Sequence, residues 1–149
     1  MGVWVRPAVA VAALALILGP SATAQVPDPF ARALARQLAS AETVLSADGY
    51  SRAAGPFAGG LGQRENRRFT LSLRAGLDYR IVGVCDRRCG ALALRLFDPN
   101  DALIARDIGA NSAPAMHVRP AATGPHVVEV VMPRCAAAQC WYAVNVYSR

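Results

Sequence analysis

The chain has 149 residues, of which 54% are hydrophobic, and a formal net charge of +6. This composition excludes a disordered chain and fits a single globular domain. Every basic residue is arginine, since lysine does not occur. An arginine excess of this kind is more typical of nucleotide bias in a genome than of a polyanion partner. The arginine clusters also lack the interleaved aromatic residues of single-strand binding platforms, so we expect no nucleic-acid ligand.

Residues 1–24 have the features of a secretory signal peptide. Arg6 precedes an apolar run from Ala8 to Leu18, and Ser21-Ala22-Thr23-Ala24 places small residues where a signal peptidase cleaves. The apolar run is too short to span a bilayer, which takes about 20 residues. We expect cleavage near Ala24 and a mature protein that is periplasmic or secreted and not embedded in a membrane.

Residues 25–50 are predicted to form an amphipathic helix and a linker. Asp28-Pro29 is typical of a helix start, with an N-cap carboxylate followed by proline, and Gly49 is typical of a helix end. Between them, apolar residues recur at helical spacing. They are Phe30, Leu34, Leu38, Ala41 and Leu45. We expect a helix over about residues 29–46 whose stripe packs on its own domain, with docking to a partner as the alternative.

Residues 51–149 are predicted to form a mainly β domain. Residues 52–66 are rich in glycine and are interpreted as a loop with one short edge strand near Pro56–Leu61. Alternating apolar and polar residues then predict short strands separated by Gly, Pro and Asn signals. The expected strands are 69–73, 79–85, 91–97, 103–107, 116–119, 126–132 and 141–147. Short strands at this spacing favour an antiparallel sandwich.

Several of these strands resemble a known family. Similarity to the bacterial pre-peptidase C-terminal domain is found in the segments Phe69–Leu73, Ala75-Gly76, Tyr79–Ile81, Leu92–Asp98, Thr123–Val130 and Trp141–Val146. The resemblance covers about residues 55–148, although His126 stands where tyrosine is usual, and we expect no attached peptidase domain. It implies an antiparallel jelly-roll-like β-sandwich that is non-catalytic and accompanies secreted enzymes.

Four cysteines form two local couples, Cys85 with Cys89 and Cys135 with Cys140. Four cysteines allow three pairings, and the sequence does not choose among them. Pairing within each couple is attractive because each couple brackets a turn, and an exported protein favours disulfides. A structural zinc site with four cysteine ligands is the alternative, and a redox role is a weaker one.

The chemistry expected of the chain is binding rather than catalysis. The imidazoles are His117 and His126, and neither lies in a nucleophile or metal-protease motif. We expect His117 to point outward and His126 to face the sandwich interior. The sequence therefore predicts a non-enzymatic binding or accessory module of the bacterial envelope that needs no cofactor and binds another protein or an anionic glycan. The alternative is a small secreted hydrolase or a protease-inhibiting module.

Two regions are candidates for ligand contacts. Arg87, Arg88 and Trp141 are the candidate binding residues for a glycan, on the hypothesis that they cluster at one sheet end beside the cysteines. The second region, Asp98–Asp107, is rich in side-chain oxygens, which calcium prefers. Its residues also suit a type I turn, and we expect no metal there, although the sequence leaves calcium open.

Overall fold

The computed structural model describes residue 2 and residues 25–109 and 111–149. The predicted signal peptide, apart from Gly2, lies outside the described residues. Helix α1 (Asp28–Ala47) has nearly the predicted bounds, and Gly49 follows it with a φ of 83°. Pro27, not Asp28, occupies the N-cap position. Asp28 instead lies in the first turn, where a negative charge is favourable near the positive end of the helix dipole.

Eight strands follow the helix in the described part of the chain. They are β1 (Ser51–Leu61), β2 (Asn66–Leu73), β3 (Tyr79–Cys85), β4 (Cys89–Phe97), β5 (Leu103–Asp107), β6 (Ala115–Val118), β7 (Gly124–Cys135) and β8 (Cys140–Ser148). The bounds of β3 and β5 are those that the alternation predicts. Strands β7 and β8 extend beyond their predicted ends by one to three residues on each side.

The strands form two antiparallel sheets in a jelly-roll arrangement. Sheet A has the order β1-β8-β3-β6, and sheet B has the order β2-β7-β4-β5. Pairing joins the first strand to the last and continues inward, β1 with β8, β2 with β7, β3 with β6 and β4 with β5. A long hairpin that rolls up in this way gives the jelly roll. The predicted sandwich with one N-terminal helix is confirmed.

The predicted edge strand near Pro56–Leu61 is present at the edge of sheet A, but the loop predicted before it is wrong, because β1 begins at Ser51 and pairs with β8 along its length. Its sequence shows no clear alternation since most of its side chains are exposed at a sheet edge. The pairing also shifts between Ala54 and Phe57. Gly55 lies in this irregular stretch with a φ of 104°, and a Cβ there would lie 2.6 Å from the Asn145 Oδ1 atom. Glycine at that position permits the close approach of the two strands.

Two apolar layers hold the molecule together. The main core lies between the sheets and includes Ile81, Leu92, Leu94, Leu96, Val128, Val130 and Val144, which have almost no exposed surface. A second cluster lies between α1 and the outer face of sheet A, where Leu34 and Leu38 pack on Val84, Trp141 and Ala143. The expectation that the helix packs on its own domain is therefore confirmed. Within the described residues, no helix lies on the outer face of sheet B.

Helix α1 is not long and apolar enough to cross a bilayer, and it is the only helix in the described ranges.

Candidate functional site: a cleft between helix α1 and the turn after strand β3

A stack of three side chains joins α1 to the sandwich beside the turn between β3 and β4. The Phe30 ring lies 6.4 Å from the Trp141 ring, centroid to centroid. The Arg88 guanidinium carbon lies 4.3 Å from the centroid of the same Phe30 ring, a cation–π distance. Phe30 comes from the helical stripe, and Trp141 lies near the start of β8. The start of α1 is therefore anchored both to strand β8 and to the turn between β3 and β4.

The buried carboxylate of Asp86 holds Arg88 and the Trp141 backbone of this stack in place. It is 2% exposed and accepts hydrogen bonds from the Trp141 backbone N–H at 2.7 Å and the Arg88 backbone N–H at 2.8 Å. The Arg88 side chain also donates to it, from Nε at 3.1 Å and from Nη2 at 2.9 Å. Because Asp86 holds both backbone and side chain of Arg88, the guanidinium has a defined place over Phe30.

The electrostatics of Asp86 agree with this geometry. Burial by itself raises the pKa of the Asp86 carboxyl, but the hydrogen bonds from Arg88 and from the Trp141 backbone lower it, and the net pKa lies below the ordinary 3.8. The same interaction raises the pKa of the Arg88 guanidinium. Asp86 and Arg88 are therefore a neutral pair at physiological pH, which leaves other side chains to set the charge of the surface above them.

That surface is a cleft of about 390 Å³, which we call the helix–turn cleft. It is lined by Pro29, Phe30, Ala33, Arg36, Gln37, Asp86 and Arg87. Gln37 donates from Nε2 to the Cys85 carbonyl oxygen at 3.2 Å, and so ties the wall formed by the helix to the end of β3. Arg36 and Arg87 are exposed, and no carboxylate of the described residues is within ion-pairing distance of either. The cleft thus combines an apolar floor with two unpaired cations.

The predicted binding residues have different roles in this arrangement. Arg87 lines the cleft, and Arg88 is held by Asp86 at its border. Trp141 lies in the same region, as the hypothesis of a cluster at one sheet end expected, but its ring is only 9% exposed beneath α1. While the helix is in place, that indole offers no open face to a sugar. Binding of a glycan by these three residues stays a prediction.

Sequence reasoning missed three contributors to the site, Phe30, Arg36 and the buried partner of Arg88, Asp86. The helical stripe marks Phe30 as apolar without saying which strand it meets. The Asp-Arg-Arg sequence inside a short cysteine loop is a signal that could have indicated a local ion pair, because an aspartate two residues before an arginine can accept its backbone N–H.

Both disulfides lie at this end of the molecule. Cys85 is bonded to Cys89 and Cys135 to Cys140, so the local pairing is the one observed and a four-cysteine zinc site is wrong. Each bond closes a connection between strands of opposite sheets, β3 to β4 and β7 to β8. The two bonds are neighbours, since Cys89 is the register partner of Cys135. Arg87 and Arg88 therefore lie in a covalently closed turn, which limits their motion.

The oxygen-rich region near β5 is used by the fold itself. Asp98 Oδ1 accepts hydrogen bonds from the backbone N–H groups of Asn100 and Ala102, as the predicted turn requires. Asp107 accepts from the backbone N–H groups of Gly109 and Ala115. In the described ranges no three His, Cys, Asp or Glu side chains are grouped as metal ligands. These carboxylates are explained by turn geometry.

The two histidines lie where the alternation places them. His126 is 1% exposed in the sandwich interior, opposite Leu71 on β2, and its Nδ1 atom lies 3.0 Å from the Gly124 carbonyl oxygen. His117 is exposed, with Nε2 3.4 Å from Asp78 Oδ1. An imidazole enclosed by the core has no route to a substrate, so the position of His126 does not favour the hydrolase alternative.

No family model and no curated protein matches this sequence. Among solved structures, the chain is similar to PliG of Aeromonas hydrophila, a periplasmic inhibitor of g-type lysozyme, with 16% identity and a TM-score of 0.47. The alignment covers 64% of this chain and 85% of that one. This likeness is too slight to carry an argument about function. Membership of the pre-peptidase C-terminal family stays a prediction.

Proposed function

We propose that the chain is an exported, non-catalytic binding module of the bacterial envelope that holds an anionic group in the helix–turn cleft. The observation that carries the proposal is the pair Arg36 and Arg87, two exposed cations without carboxylate partners beside the apolar surface of Phe30. Arginine forks match the geometry of carboxylate and phosphate groups. The ligand class is therefore a carboxylate or phosphate on an envelope protein or an anionic glycan.

Export and the family assignment belong to the same proposal. Disulfides are common in small domains of oxidising compartments, and the two found here support a periplasmic or secreted location. The signal peptide would be cleaved near Ala24. The jelly-roll strand order is the fold that the resemblance to the pre-peptidase C-terminal domain implies. Because the disulfides hold the cleft rigid, little conformational entropy is lost when a ligand binds, and this favours binding.

A charge-matched pair of double variants tests the cleft. Arg36→Gln with Arg87→Gln removes both cleft cations, whereas Arg52→Gln with Arg74→Gln removes two exposed cations at the opposite end of the sandwich. We expect the cleft variant to weaken binding of the mature protein to polygalacturonate or to polyglutamate by about tenfold, equivalent to about 1.4 kcal/mol. The control variant should lose less than about twofold, by general screening alone.

Equal losses in the two double variants would show that only net charge matters, and would contradict a site in the cleft. A hydrolase would show turnover of a substrate in a hydrolase panel that His126→Ala abolishes, and that result would overturn the non-catalytic assignment. The protease-inhibiting alternative predicts instead that the protein blocks a protease without binding either polymer.

A further inference from the structure

A second charged surface lies on the outer face of sheet B, on the other side of the sandwich from the cleft. Register places Arg68 of β2 opposite Glu129 of β7, Glu129 opposite Arg95 of β4, and Arg95 opposite Arg106 of β5. Paired residues point to the same face of a sheet. Three arginines and one glutamate therefore form a row across all four strands.

Glu129 occupies two of these arginines. It is 6% exposed and accepts a hydrogen bond at 3.0 Å from Arg68 Nε and another at 3.0 Å from Arg95 Nη1. Burial raises the pKa of the Glu129 carboxyl, but the two arginines lower it, and the net pKa lies below the ordinary 4.5. One full negative charge thus stands among three positive ones. Asp101, 3.8 Å from Arg68 and largely exposed, adds a weak counter-charge at the β2 end of the row.

The positive charge is concentrated at the β5 end. Arg106 is exposed, and no carboxylate of the described residues lies within ion-pairing distance of it. Its cross-strand partner is another arginine, Arg95, and like charges directly opposite each other destabilise a sheet. Glu129 compensates Arg95 in part, but no carboxylate of the described residues compensates Arg106, whereas an anion bound from outside would.

Aliphatic side chains surround the same arginines. Leu103, Ile104 and Ile108 are 46%, 40% and 54% exposed, and they belong to β5 or directly follow it. The register shifts here, so Leu103 pairs with Phe97 and Ile104 is the extra residue of a bulge, exposed and two positions along the strand from Arg106. Strand β5 is also an edge strand of sheet B. We call the patch of Arg95, Ile104, Arg106 and Ile108 the β5 surface.

We propose that the β5 surface docks an acidic segment of a partner protein that also carries apolar side chains. Carboxylates of the segment complement Arg106 and Arg95, and its apolar side chains cover Ile104 and Ile108. Exposed aliphatic residues next to cations favour a protein over a glycan, because sugars are bound on aromatic platforms and the Phe97 ring of this face is covered by Arg68 at 4.7 Å. This inference is independent of the helix–turn cleft.

The test uses the complete mature protein and a synthetic peptide of about eight residues that alternates Glu and Val, long enough to span β5. A Lys-Val peptide of the same length and polygalacturonate are the comparison ligands. The variant combines Ile104→Ser with Arg106→Gln. Its matched control, Leu77→Ser with Arg74→Gln, changes an equally exposed aliphatic residue and an exposed arginine near the β2–β3 turn.

We expect the wild type to bind the Glu-Val peptide and not the Lys-Val peptide, and the β5 variant to bind it about tenfold more weakly. The control variant should stay within about twofold of the wild type. Because the cleft is also proposed to hold carboxylates, the β5 substitutions are repeated in the Arg36→Gln, Arg87→Gln background, and the same loss there separates this inference from the proposed function. Ile108→Ser, at the most exposed of the three aliphatic positions, provides a second variant if the first unfolds, and should weaken binding as well.

Three results would overturn the inference. They are equal binding of the Glu-Val and Lys-Val peptides, an undiminished affinity in a folded β5 variant, and tighter binding of polygalacturonate than of the Glu-Val peptide with the same dependence on Arg106. The last of these would make the β5 surface a glycan site.

Discussion

Both faces of this jelly roll contain a buried carboxylate that binds arginine, yet the two carboxylates have opposite surroundings. On sheet A, Asp86 accepts from two backbone N–H groups as well as from Arg88, and α1 covers the assembly. On sheet B, Glu129 accepts from two arginine side chains, on a face that no helix of the described residues covers. The first pair joins elements of the fold, whereas the second holds cations at a surface.

This difference shows why an ion pair by itself does not indicate a role. The value of Asp86 lies in the backbone groups that it satisfies, because a buried N–H without an acceptor is costly. Glu129 has partners that are about half exposed, and water can solvate them if the carboxylate is removed. We therefore expect loss of the carboxylate to be severe on sheet A and mild on sheet B.

The largest effect is expected for Asp86→Ala. The substitution leaves the Trp141 N–H without its acceptor and frees Arg88 from its place over Phe30, so it should lower the free energy of unfolding by about 3 kcal/mol. Urea denaturation followed by Trp141 fluorescence measures the change. The hydrogen-exchange rate of the Trp141 amide should rise, and the opening free energy derived from it should fall by a similar amount.

A control for Asp86→Ala is Asp101→Asn, at an aspartate whose ion pair with Arg68 spans 3.8 Å in largely exposed surroundings and whose φ of 63° asparagine also tolerates. Its effect should stay within about 0.5 kcal/mol. If the two variants lose equal stability, the contribution assigned to the backbone bonds of Asp86 is wrong.

A smaller effect is expected for Glu129→Gln. The amide keeps an acceptor oxygen for one arginine and loses the charge, and the other guanidinium turns to water, so the free energy of unfolding should fall by about 1 kcal/mol. Denaturation in urea at neutral pH gives the value. A loss as large as that of Asp86→Ala would mean that the Glu129 network, too, is a structural joint, and the contrast between the faces would fail.

Much of the fold follows from local patterns in the sequence. Strands β3 and β5 have the predicted ends because turn residues flank them, although neither strand alternates strictly. Only the Pro56–Leu61 half of β1 was predicted, because exposed glycines and alanines at an edge leave no alternation to detect. The disulfide pairs were among the expected pairings, but the sequence does not reveal that each one joins opposite sheets. That depends on how the hairpin rolls, which is a property of long-range pairing.

The candidate site was predictable only in part, for a related reason. Arg87 and Arg88 stand out as a pair within a cysteine loop. The contact of Arg88 with Phe30 joins residues far apart in the chain, and no local periodicity encodes it. Trp141 shows the opposite difficulty. Strand alternation can place it on the outer face of sheet A, but it does not show that α1 covers that face. The row on sheet B likewise appears only once four strands are in register.

The smallest effect that we expect is a change with pH in the stability difference between the wild type and Glu129→Gln. The pKa values of Asp86 and Glu129 lie below their ordinary 3.8 and 4.5, so each group contributes stability that is fully present above the ordinary value and is lost as the pH falls through its folded pKa. Glutamine does not titrate. The stability gap between wild type and Glu129→Gln, measured by urea denaturation across a pH series, should therefore be constant above about pH 5 and shrink below about pH 4. A gap that persists unchanged into acid would show that Glu129 stabilises the sheet through packing and not through its charge.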